Sequence, residues 1–106
     1  MDIDGPWCFY RRGPDDLRTL IDGLRPFESK TWAEIEGQRD HAISCDSIMP
    51  TAQDRLRAIN QDDISDLFSL HLNGKIRIWG IRDGATFRLL WWDPDHQICP
   101  SVKRHT

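Results

Sequence analysis

Leu67-Phe68-Ser69-Leu70-His71-Leu72-Asn73-Gly74-Lys75-Ile76-Arg77-Ile78-Trp79-Gly80-Ile81-Arg82-Asp83-Gly84-Ala85-Thr86-Phe87-Arg88-Leu89-Leu90-Trp91-Trp92 is the stretch whose reading decides the fold. Three runs in it, residues 67–72, 75–82 and 85–92, are rich in Ile, Leu, Phe and Trp, as strands are. Asn73-Gly74 and Asp83-Gly84 separate them. Each dipeptide suits a type I′ turn, whose two central residues both need φ > 0. Asp93-Pro94 closes the last run, because proline cannot donate to a ladder. The stretch therefore predicts a three-stranded antiparallel meander.

Two-residue turns would fix the register. Leu70 would then face Arg77, Phe68 would face Trp79, and Trp79 would face Arg88. Alternation would place Leu67, Ile76, Ile78, Gly80, Phe87, Leu89 and Trp91 on one apolar face. The other face would carry Lys75, Arg77 and Arg88 interleaved with Trp79, Trp92, Phe68, Leu70 and Leu72. Such a surface has the chemistry to bind RNA: cations for phosphates, and indoles for bases at about 1–3 kcal/mol per stacked base. The same residues also fit a cross-strand cation–π pair of Arg88 over Trp79, with Lys75 an ordinary edge charge.

Upstream, residues 7–11 read as a short aromatic strand. Gly13-Pro14-Asp15-Asp16 opens a helix, with proline and acids in its first turn. Leu17, Leu20, Ile21 and Leu24 follow at helical spacing, and Pro26 is expected to end it. Thr31-Trp32-Ala33-Glu34 has the form of a capping box before a second short helix, stopped by Gly37. Residues 38–49 carry no clear pattern. Pro50 starts a third helix that runs to about residue 60, with Ala52, Leu56 and Ile59 on one face. The expectation is a single α+β domain over residues 1–106: an N-terminal strand and two or three short helices packed on a C-terminal three-stranded antiparallel meander.

The chain has 106 residues, 39% apolar and 29% charged, which suits one globular domain with a modest core. No run approaches the roughly 20 apolar residues of a membrane span, and no membrane association is expected. A polar, acidic start and an odd number of cysteines, three in all, suggest free thiols in a cytoplasmic protein. Charge is uneven. Residues 1–74 hold eight Lys/Arg against fourteen Asp/Glu, whereas residues 75–106 hold six against three. Only the C-terminal third has the balance of a polyanion binder.

Helices followed by this meander, with Arg77 near the start of its middle strand and Trp91-Trp92-Asp93-Pro94-Asp95-His96 at its end, resemble the RelE/ParE-type toxins of bacterial toxin–antitoxin pairs. The resemblance implies a RelE/ParE-like fold and a cognate antitoxin protein as partner. It further implies an endoribonuclease that cleaves mRNA, on the ribosome, with Arg77 and His96 catalytic. It also admits a ParE-like protein that inhibits a protein target without cutting RNA, and a domesticated, non-toxic relative.

Cleavage of this kind needs the 2′-OH deprotonated, the phosphorane charge neutralised and the leaving oxygen protonated. Arg77 has the fork to hold a phosphate. His96, after a proline-bearing turn at the sheet edge, has the chemistry of a general acid or base near neutral pH, and equally reads as an exposed loop histidine or one capping the Asp-Pro-Asp turn. Lys103, Arg104 and His105 form a basic tail suited to flanking phosphates, or simply a frayed end. His41, in the unpatterned region, becomes a second acid–base candidate if that segment folds over the sheet. His41-x3-Cys45 and His96-x2-Cys99 have the residue types of a zinc site but not its knuckle context, so no metal or other cofactor is expected. There is no phosphate-binding Gly-rich loop and no serine nucleophile elbow.

Overall fold

The computed structural model describes residues 2, 5–9, 13–36, 40–72 and 74–99. In chain order the elements are α1 (Pro14–Glu28), α2 (Trp32–Ile35), β1 (His41–Ser44), α3 (Pro50–Ala58), β2 (Asp66–His71), β3 (Arg77–Asp83) and β4 (Thr86–Asp93). The strands form one antiparallel sheet in the order β1-β2-β3-β4. Among the described residues the sheet is thus four-stranded rather than three-stranded. The added strand, β1, lies in the unpatterned region and pairs Ile43 with Leu67 and His41 with Ser69.

The helices start where local chemistry says they should. Pro14 and Pro50 each occupy the first turn, where a missing N–H costs nothing. Thr31 and Glu34 make the full capping box, Glu34 N–H to Thr31 Oγ1 at 3.3 Å and Thr31 N–H to Glu34 Oε1 at 2.8 Å. The backbone N–H of Thr31 holds the Glu34 carboxyl below its usual range. Pro26 does not end α1, which continues to Glu28. A proline in the last turn forfeits only one internal bond, and Phe27 beyond it packs into the core.

Both hairpins differ from the expected register, and both differences trace to turn geometry. In the first, Leu70 pairs with Ile78 and Phe68 with Gly80, a slip of one residue. The loop is one residue longer than Asn-Gly, closed by Leu72 N–H to the Ile76 carbonyl at 3.1 Å, with Gly74 at φ 53°. In the second, Asp83 pairs with Thr86, so Gly84-Ala85 is the turn. Gly84 has φ 61° while Ala85 does not have positive φ, the pattern of a type II′ turn. A bulge then intervenes between Trp79 and Gly80, so that Trp79 faces Trp91, not Arg88, and Leu90 is the extra residue. Gly80 is required there: a Cβ would overlap the Arg88 carbonyl oxygen and the Phe87 ring.

The slip and the bulge re-sort the side chains. Phe68, Leu70, Ile78 and Trp92 share one face and pack with Phe9, Leu20 of α1 and Ile35 of α2. Leu67, Trp79, Ile81 and Trp91 share the other and pack with Trp7, Ile48, Ala52 and Leu56 of α3, and Ile98. The sheet is therefore covered on both faces, which overturns the expected open Lys/Arg/Trp face. Trp79 and Trp92 are 0% and 1% exposed, so neither indole is a stacking platform for RNA.

The N-terminal segment runs along the outer edge of β4, with Asp2 N–H bonded to Leu90 O at 3.3 Å and Trp92 N–H to Trp7 O at 2.8 Å. Trp7 then meets Trp91 on one face (centroids 5.2 Å) while Phe9 meets Trp92 on the other (6.1 Å). Residues 7–9 are not a strand of the sheet, contrary to expectation, because they wrap this edge; residues 10 and 11 lie outside the described set. The Asp2 carboxylate locks the segment down. It accepts two hydrogen bonds from Arg55 (2.8 and 2.7 Å), one from the Trp91 indole (2.9 Å) and one from Gly5 N–H (3.2 Å). Among the described residues no helix is long and apolar enough to cross a membrane.

Candidate functional site

At one end of the sheet, on the α3 face, three polar residues form a row across the strands. His71 of β2 pairs with Arg77 of β3, and Arg77 pairs with Asp93 of β4. Directly paired residues project on the same face, so these side chains are neighbours. The β2–β3 loop gathers two of them, since Arg77 Nη1 donates to the Gly74 carbonyl at 3.0 Å and His71 Nε2 lies 2.9 Å from that same oxygen. A carbonyl only accepts, which places a proton on His71 Nε2.

Asp93 is the anchor. It is 0% exposed, and its carboxylate accepts from Gln97 N–H (2.8 Å), Ile98 N–H (3.1 Å) and the Trp79 indole (3.2 Å). It thereby folds residues 94–98 back over the strand end. In that turn His96 takes φ 55°, a left-handed conformation that non-glycine residues adopt at some cost. The turn brings the His96 imidazole into the field of Arg77. Burial lowers the His96 pKa first, the Arg77 guanidinium lowers it further, and His71 adds to this. The Asp93 carboxylate and a hydrogen bond with the Cys99 backbone oppose the shift. His96 is thus biased toward the neutral, proton-accepting imidazole.

The two residues expected to be catalytic, Arg77 and His96, lie at the same sheet end, Arg77 opposite Asp93 and His96 in the turn that follows it. Lys75 stands beside them in the loop, exposed, with its ammonium 3.8 Å from Asp95. Arg88 is exposed but pairs with Ile81, about four residues along β3 from Arg77 and so roughly 13 Å away. It does not join the site. Lys103, Arg104 and His105 lie outside the described residues. His41 begins β1 opposite Ser69, diagonal to His71 on the same face, a relation that spans about 7–8 Å. Its Nδ1 is buried without a hydrogen-bond partner among the described residues, as is the Trp92 indole nitrogen. Nothing in the structure explains the Trp92 orphan.

His71 and Asp93 carry the geometry of the site and were not singled out from sequence. The signal for Asp93 was present, as Asp-Pro-Asp commonly caps its own turn. His71 becomes visible only once the one-residue slip puts it opposite Arg77. Elsewhere, an open cleft of about 260 Å³ between β1, α3 and the residue 62–66 segment is lined by Asp46, Asp62 and Asp66 with Arg57. Among the described residues no three His, Cys, Asp or Glu side chains gather as a metal site. No family model, curated protein or solved structure matches the chain.

Proposed function

We propose that this chain is an RNA-cleaving toxin of the RelE type, acting on mRNA at the ribosome and held in check by a cognate antitoxin. The observation that supports this reading is the placement of Arg77 and His96 at one sheet end: Arg77 pairs with Asp93, and His96 lies in the turn that Asp93 holds, where burial and then the guanidinium lower the imidazole's basicity. A neutral imidazole beside a guanidinium suits phosphodiester cleavage. His96 takes the 2′-OH proton, and Arg77 neutralises the charge that builds on the phosphorane oxygens. Lys75, exposed beside them, adds a flanking phosphate contact.

Expression of the chain alone tests this. Wild type is expected to arrest growth with cleaved mRNA, and Arg77→Ala and His96→Ala each to relieve the arrest. Unimpaired growth with intact mRNA contradicts the proposal.

A second reading is a non-nucleolytic protein-binding domain, ParE-like or domesticated. It is favoured by the acidic cleft and by Leu17 and Ile21 on α1, which are 39% and 56% exposed. Recovery of a gyrase-like enzyme without ribosomes in a pull-down selects it.

A further inference from the structure

We propose that His71 is the second proton-transferring residue of this site, protonating the leaving 5′ oxygen while His96 deprotonates the 2′-OH. The proposal rests on the ribonuclease reading and adds to it the residue that completes the acid–base cycle. His71 and Arg77 are a directly paired couple that converge on one carbonyl, Gly74 O, at 2.9 and 3.0 Å. That carbonyl fixes the ring: Nε2 carries a proton in both charge states, and Nδ1 is left as the atom that gains or gives one. His71 therefore reaches the imidazolium state by protonation at Nδ1, with its Nε2–H already held by an acceptor.

The pairing row sets Arg77 directly beside His71 of β2 and beside Asp93 of β4, and His96 follows in the turn that Asp93 holds. The step balances with no added reactant. His96 takes the 2′-OH proton, the O2′–P bond forms, the P–O5′ bond breaks, and His71 Nδ1–H goes to the departing O5′. The products are a 2′,3′-cyclic phosphate and a 5′-OH, and the two imidazoles have exchanged protonation states. The charged and titratable groups around His71 are His41 and Asp40 from the β1 side, Lys75 and Arg77 from β3 and its loop, and Asp93, Asp95 and His96 from β4 and its turn. Asp40 accepts the His71 backbone N–H at 2.7 Å, so the strand end is fixed independently of the ring.

The test uses the full chain on an RNA oligonucleotide, free and as mRNA on ribosomes, and on the same RNA with the scissile 5′ oxygen replaced by sulfur. A thiolate departs without a proton, so it dispenses with the general acid. His71→Gln and His71→Asn, checked by thermal melting for a wild-type fold, are expected to cut the oxygen substrate about 10²–10⁴-fold more slowly. Both are expected to cut the sulfur substrate within a few-fold of wild type and to lose the alkaline limb of the pH–rate profile. His96→Gln is expected to be slow on both substrates. Wild-type rates on the oxygen substrate, or no recovery with sulfur, overturn the role of His71 alone. If wild type cuts neither substrate in either setting, the ribonuclease reading falls and His71 with it.

Discussion

Replacing Asp93 by Asn changes one atom and keeps the shape. The carboxylate accepts from Gln97 N–H through one oxygen and from Ile98 N–H and the Trp79 indole through the other. An amide has only one acceptor oxygen. Its NH2 must therefore point at Gln97 N–H, or at both of the other donors. In the better orientation one donor loses its acceptor and meets another donor, at a cost of about 1–3 kcal/mol. A loss near 2 kcal/mol lowers Tm by roughly 8 °C in a domain of this size. It also moves the urea midpoint down by about 1 M. Because the Asp93 carboxylate favours the charged form of His96, its removal should also move His96 titration to still lower pH. Urea melts give the first quantity, and imidazole shifts by NMR give the second. A variant within about 0.5 kcal/mol of wild type, with His96 unmoved, would refute the role given to Asp93 here.

Other expectations follow from single contacts. In Arg77→Ala the cation that depresses His96 is gone, so His96 titration by NMR should rise toward the ordinary histidine range. Gly80→Ala should destabilise by about 1–3 kcal/mol in urea, because the new methyl meets the Arg88 backbone oxygen rather than a yielding side chain. Asp2→Ala removes the buried carboxylate that accepts from the Arg55 guanidinium and the Trp91 indole, and should cost about 3 kcal/mol in the same melts. Acidification through the low carboxylate range should fray α2. The folded Glu34 carboxyl titrates below its unfolded value, so its contribution holds above that value and is lost as pH falls through the folded one. Circular dichroism of a Thr31→Ala variant, with the capping box removed, should lack that acid transition.

The element types were legible where side-chain chemistry is local. Proline at the start of α1 and α3, the Thr31–Glu34 box and the runs of β2 to β4 all announce themselves. Register was not legible, because it depends on which residues of a Gly-containing loop take positive φ. Asn-Gly and Asp-Gly both invite a two-residue I′ turn, yet the first hairpin uses a longer loop and the second centres on Gly84-Ala85. The bulge at Trp79/Gly80 then put Trp91, rather than Trp92, on the same face as Trp79. Of the four residues of β1, His41-Ala42-Ile43-Ser44, only Ala42 and Ile43 are apolar and they are adjacent, so the strand shows no period-2 alternation. Arg77 and His96 stand at the same sheet end in either register, because one starts a strand and the other lies just past the end of one, where a one-residue slip moves neither to another end of the sheet.

The most direct measurement is the chemistry of the RNA ends made when the purified chain meets ribosome-bound mRNA. The ribonuclease reading predicts new fragments bearing a 2′,3′-cyclic phosphate and a 5′-OH, absent with Arg77→Ala and His96→Ala variants of wild-type fold. Intact mRNA with the wild-type chain, or the same fragments from both variants, would contradict it.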